Sequence, residues 1–351
     1  MSKPNTINNA TKAIKAQAHI HHAFLLGLQL MVSARKGPDI VEDWMFKLFR
    51  RQHLEKFLSS FEKLGLHGMP DAVACAQYHT LSNGIGGVPV EYMYESDQKA
   101  WVRFRYPRWM YHGATICGVP IGVSRGFLKG WYAYNGVSLK NPRLGFVCVS
   151  EDMTGEFGLC GYFKEYDHDL SDKERLQFAK GELPPVFIDS EQPAPPEGDW
   201  NDVRLEKASR NYAMGYIRNG LSALAVVIGE AETIELAGTA ARLIGLQYYS
   251  ETCKIIDGVD GDISTAANYL HTMMSGMGDE LTEINLTESN AGFQQTGLRI
   301  VRGLEPAERR ILLTCWRELW LGTVRSHRLM MTLDMEQLSD DTLCWTISPL
   351  K

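Results

Sequence analysis

Residues 101–106 read WVRFRY: Trp101, Val102, Arg103, Phe104, Arg105, Tyr106. Apolar and cationic side chains alternate here with a period of two, the pattern of a β-strand with one wet and one buried face. Working outward, similar runs recur as VPVEYMY (88–94), LGFVCVS (144–150) and GYFKEY (161–166), rich in Val, Tyr and Phe and separated by Gly and Pro. They predict a sheet-rich region over 71–180, with Ile121–Tyr134 as a helix packed on the sheet. Upstream, Ile40, Trp44, Leu48, Phe49, Phe57, Phe61 and Leu64 recur at helical spacing until Gly65, Gly68 and Pro70 punctuate the chain. Residues 1–70 are therefore read as N-terminal helices.

Downstream, GELPPVFIDSEQPAPPEGD (181–199) holds five of the fourteen prolines. Proline removes backbone donors and breaks regular structure, so 181–200 is read as an exposed linker and a domain boundary. Residues 201–351 are expected to carry two long helices (203–229 and 230–253), a third helix (263–277), a hairpin and a helix opening at Pro306. Two final strands, Leu329–Met335 and Thr342–Ile347, close the chain. The fold class expected is α+β, a sheet-rich N-terminal half packed with a helical C-terminal half that ends in a strand pair.

Composition narrows the function. A chain of 351 residues, 44% hydrophobic and 22% charged, buries a core without disulfides or metals. Its net charge of −6 gives no global attraction to nucleic acid or anionic lipid. The basic stretch KLFRRQHLEK (47–56) reads as the wet face of a helix. Seven cysteines, an odd number without a CxxC pair, suit a reducing compartment. The N-terminus lacks a secretory pattern, and the apolar run 23–32 is too short to span a bilayer. A cytoplasmic protein with no nucleic-acid or membrane partner is expected. The chain has no GxGxxG after a strand, no phosphate loop and no HExxH, and no cofactor is expected.

Four clusters carry chemical potential. His19, His21 and His22 contain ligand-type side chains without a neighbouring acid or thiol, so no metal is assigned to them. Glu165, Asp167 and His168 place carboxylates beside an imidazole at a strand end, where a histidine can act as general base. The same stretch reads as a polar loop opening a helix, with Ser171 and Glu174 as its capping box. His112 lies close in sequence to Trp101, Arg103, Arg105 and Trp109, an aromatic and guanidinium-rich wall suited to a planar or carboxylate-bearing molecule. A solvated sheet face accounts for the two arginines equally well. Asn135, followed by Gly136, is a turn residue and a further candidate for substrate binding.

The closing stretch Leu338, Ser339, Asp340, Asp341, Thr342, Leu343, Cys344, Trp345 resembles the signature of L-2-amino-thiazoline-4-carboxylate hydrolase-like proteins. The related vinyl-reductase-type small-molecule-binding domains share it, and Asp340 stands where the family has glycine. The resemblance implies an α/β fold around an apolar ligand pocket, often in a homodimer, with Cys344 at the family's cysteine position. It also implies hydrolysis of a C–N bond in a cyclic amide or amidine, or a related lyase reaction. In that reading His112 or His168 is the acid or base, Glu165 or Asp167 orients it, and Cys344 is a candidate nucleophile. Trp101, Arg103, Arg105, Trp109 and Asn135 hold the substrate. The alternative is a non-catalytic binding or sensing protein with an apolar pocket.

Overall fold

The computed structural model describes residues 4–108, 112–152, 156–196 and 202–350. The chain divides into two compact units, 1–31 with 206–351, and 32–205. Helix α1 (Pro4–Lys36) begins in the first and ends in the second.

In the 32–205 unit, helices α2 (Pro38–Lys63) and α3 (Asp71–Ile85) precede β1 (Val90–Ser96) and β2 (Lys99–Phe104). Helices α4 (Gly122–Gly130) and α5 (Asn135–Leu139) follow, then β3 (Leu144–Ser150), β4 (Cys160–Glu165) and β5 (Leu176–Phe178). The sheet runs β1-β2-β4-β3-β5, antiparallel except where β5 lies parallel to β3. Half of the expected capping box forms at Ser171 and Glu174: the Glu174 carboxylate accepts from Ser171 N (2.8 Å), but the Ser171 hydroxyl donates to that carboxylate (2.6 Å) and Glu174 N bonds Ser171 O (3.0 Å). No helix follows; the chain turns into β5 instead.

Both faces of this sheet are buried. On one, the His79 ring of α3 stacks on Phe163 with centroids 5.4 Å apart, and Tyr132 meets Phe146 at 4.6 Å. On the other, Met93, Trp101, Val147, Cys160 and Tyr162 form a cluster onto which Ala179 packs. The proline-rich segment crosses this second face from β5 to the far edge. Glu182 accepts from the Tyr162 hydroxyl (2.9 Å) and faces the Lys99 ammonium at 3.4 Å. The Gln192 amide then accepts from Tyr92 N (2.9 Å) and donates to Tyr92 O (2.8 Å). One side chain thus supplies the backbone partners that edge strand β1 lacks. The segment that prolines exclude from regular structure acts as a strap.

Helix α4 lies on α2 through glycines spaced every four residues. A Cβ at Gly126 would stand 2.5 Å from Met45 Cβ and 2.7 Å from Glu42 O, and one at Gly130 2.6 Å from Phe46 O. Backbones this close admit no side chain at either position.

The other unit contains all but the first turn of α6 (Asp202–Ile228), with α7 (Glu230–Ile255), α8 (Ile263–Ser275) and α9 (Pro306–Val324). Its sheet joins β6 (Glu280–Leu281), β8 (Ala291–Thr296), β10 (Thr342–Pro349) and β9 (Met331–Ser339) in that order, with β7 (Asn285–Leu286) also paired to β8. Helices α7 and α9 touch where a Cβ on Gly245 would meet Leu319 O at 2.1 Å. Pro306 opens α9, and Glu305 and Glu308 close a reciprocal capping box.

The α+β class holds, but the sheet-rich N-terminal half is overturned. Helices α1 to α3 occupy most of residues 4–85, and the five strands after them are three to seven residues long. The misread element is α3, placed by sequence within the sheet-rich region. Ala72–Ala76 and Tyr78–Leu81 are all buried, so the helix has no wet stripe to betray its period. The C-terminal half carries a sheet of its own. No described helix is long and apolar enough to cross a membrane.

Substituting Gly126→Val should destabilise the protein by about 1–3 kcal/mol, read as a lower urea midpoint. An unchanged midpoint would show that the α2–α4 contact is looser than described.

Candidate functional site

A cleft of about 370 Å³ opens where β2 ends, and Arg103, Arg105, Tyr106, Asp152, Glu156 and Phe157 line it. Register explains how the arginines reach it. Arg103 pairs across the sheet with Glu91 of β1, whose carboxylate stands 3.8 Å from the Arg103 guanidinium and 3.4 Å from that of Arg105. One acid thus sits between two cations, and both arginines line the cleft. Arg103 Nε also donates to Phe157 O at 3.4 Å. Gly158, at φ +84°, turns the chain so tightly that a Cβ there would lie 2.6 Å from the Tyr106 ring.

The cleft floor is a buried charge with its partners in place. The fully buried Asp152 carboxylate accepts from Arg108 Nη1 at 2.8 Å, from the Tyr106 hydroxyl and from Ser124 Oγ. Removing one partner of such a pair leaves an uncompensated buried charge, which costs about 3–5 kcal/mol. Burial and Asp152 push the Tyr106 phenol above its usual range, so Tyr106 stays a neutral donor. Beside it, Glu151 holds Arg125 through two bonds of 2.8 and 3.2 Å.

Of the residues singled out from sequence, the structure brings Arg103 and Arg105 together in this cleft. His112 is exposed and precedes a 3-10 turn, Gly113–Cys117, whose Ile116 lines the cleft. Trp101 is buried in the strap-side cluster, donating to Glu95 at 2.6 Å. Trp109 lies outside the described residues. Glu165 is engaged by Arg143 at 2.6 Å. Asp167 and His168 meet at 2.8 Å, both exposed, and the histidine holds the Asp167 carboxyl below its usual range. Cys344 sits mid-strand on β10 of the other unit, opposite Gln294 and Glu336.

Asn135 is fully buried in a cluster that sequence reasoning missed. Its Nδ2 lies 2.8 Å from His79 Nε2, and Cys75 and His53 adjoin it. Arg50 Nη1 lies 2.8 Å from His53 Nδ1, and because arginine only donates, the His53 proton resides on Nε2. Burial, then Arg50, pushes His53 down to about 3, and burial carries His79 well below its usual value. Burial likewise raises the Cys75 thiol, leaving a neutral group rather than a nucleophile.

The three early histidines diverge to separate partners. His21 takes a hydrogen bond from Trp316 Nε1 (3.0 Å) and its Nδ1 lies 2.7 Å from Gln17 O, with burial lowering it to about 4. His19 faces Glu251 at 3.2 Å, and His22 lies edge-on to Tyr212 and Tyr216. Among the described residues no group of three His, Cys, Asp or Glu side chains is placed to hold a metal.

A histidine held below its unfolded value of 6.5 takes up its proton on unfolding, so acid favours the unfolded chain. Stability should be full above pH 6.5 and fall by about 1.4 kcal/mol per pH unit for each such histidine as pH drops below it. Urea midpoints of the wild type and His53→Gln between pH 7.5 and 5 test this; the variant should show the shallower loss, and parallel curves would refute it.

Comparison of the chain with protein-family models, curated proteins and solved structures found no match.

Proposed function

We propose that the 32–205 unit binds a small, carboxylate-bearing organic molecule in the cleft at the end of β2. The observation that carries this reading is the pair Arg103 and Arg105, which share the single carboxylate of Glu91 and line one concavity. Guanidinium recognises carboxylate through paired, charge-assisted hydrogen bonds, and a volume of about 370 Å³ suits a small molecule. Phe157 and the ring of Tyr106 supply apolar walls.

Hydrolysis of a C–N bond, in a cyclic amide or amidine, is the catalytic extension of this reading. It is favoured by the Asp152 and Glu156 carboxylates in the same cleft. Asp152 is committed to Arg108, Tyr106 and Ser124, so Glu156 is the group left for proton transfer. Glu165, His168 and Cys344 are assigned no catalytic role.

A thermal-shift and calorimetric screen of small acids against their amides and lactams tests the binding. Acids should raise the melting temperature where matched amides do not, and Arg103→Gln or Arg105→Gln should weaken binding about tenfold. Equal response to acids and amides, or variants without effect, would overturn the reading. Following the lactams and amidines for turnover separates enzyme from binding protein: Glu156→Gln should abolish hydrolysis while acids still bind.

A further inference from the structure

We propose that a second cleft in the 32–205 unit is a binding site for a small aromatic monocarboxylate. It measures about 330 Å³ and shares no lining residue with the Arg103–Arg105 cleft. Its aromatic walls come from three elements: Phe46 of α2, Tyr134 just before α5 and Phe178 of β5. Its cations are Lys129, Lys173 and Arg175.

The charges are unevenly satisfied. Lys129 is engaged by Glu42, and Arg175 meets Asp172 at 2.9 Å. Lys173 makes no ion pair among the described residues, so three cations face two acids and one positive charge remains. The surplus matches a monoanion. Beyond Phe46 and Lys129 a neighbouring cleft carries Asp39, Glu42 and Asp43; Glu42 is held by Lys129 and Asp43 by Lys47 at 3.4 Å, which leaves Asp39 to disfavour a second negative charge, as on a phosphate ester or dicarboxylate.

Two of the rings are held by guanidinium groups. The Arg50 guanidinium lies 3.8 Å from the centre of Tyr134, and that of Arg125 5.6 Å from the centre of Phe178. The loop carrying Lys173 is pinned as well: Leu170 N donates to Pro142 O and Phe146 N to Arg175 O, each at 2.9 Å, while Glu174 ties Ser171. A preformed site avoids the cost of ordering its walls on binding. A flat ring packs against the aromatic side chains, and its carboxylate takes the Lys173 ammonium.

Methyl resonances of alanine-labelled full-length protein test the site, because Ala133 lines it. Benzoate should shift the Ala133 methyl saturably. Benzamide, which lacks the charge, and cyclohexanecarboxylate, which lacks the flat ring, should each bind about tenfold more weakly. Lys173→Gln should weaken benzoate about tenfold, Lys173→Arg should retain it, and Arg103→Gln should leave it unchanged. No benzoate-dependent shift at Ala133, full binding by Lys173→Gln, or loss with Arg103→Gln would each overturn the proposal.

Discussion

The five-stranded sheet of the 32–205 unit has apolar side chains on both faces, and a sheet of that kind needs two covers. Met93, Trp101 and Tyr162 on one side, and Phe104, Phe146 and Phe163 on the other, would otherwise expose a large aromatic area. The chain meets this demand asymmetrically. Helix α3, buried on almost every side, closes one face together with the rings of Phe127 and Tyr132, and an extended proline-rich strap closes the other. Each later feature of the unit depends on that arrangement, because the strands hold their ends, and hence the cleft residues, only while both covers stay in place.

The polar architecture follows from the same frame. Antiparallel register sets Glu91 opposite Arg103, and the chain leaving β2 brings Arg105 to the same carboxylate. Strand β3, buried along its whole length, delivers Glu151 and Asp152 at its end, where each meets an arginine. The buried imidazoles lie on the helical side, with Asn135 against His79 and Arg50 fixing the tautomer of His53.

Sequence alternation located β2, and Arg103 and Arg105 share a side as that alternation requires. The half-buried reading of the strand failed, since Trp101 and Val102 are both about 1% exposed. A period-two pattern says which residues share a face, not what lies over it, and the strap comes from some eighty residues downstream. The stretch 47–56 was legible as a helix but not as a source of buried groups, because its charges masked Gln52 and His53, both buried. Asp152 left a usable trace, an acid pair directly after an unbroken apolar strand. His79 left none, since only the fold brings it to Asn135. The carboxylate–histidine run 165–168 looked chemical because its members are neighbours in sequence, yet Glu165 turns to Arg143 and leaves Asp167 and His168 to each other.

The strap is fastened near each end, with an exposed span between the two fastenings. Glu182 grips Tyr162 and Lys99, Gln192 grips Tyr92, and Leu183, Val186 and Ile188 in between are exposed. A peptide bond cut within that span would leave a fastening on each fragment. The covered face would survive the nick, which makes this span a natural place to split the chain or to graft a reporter into it.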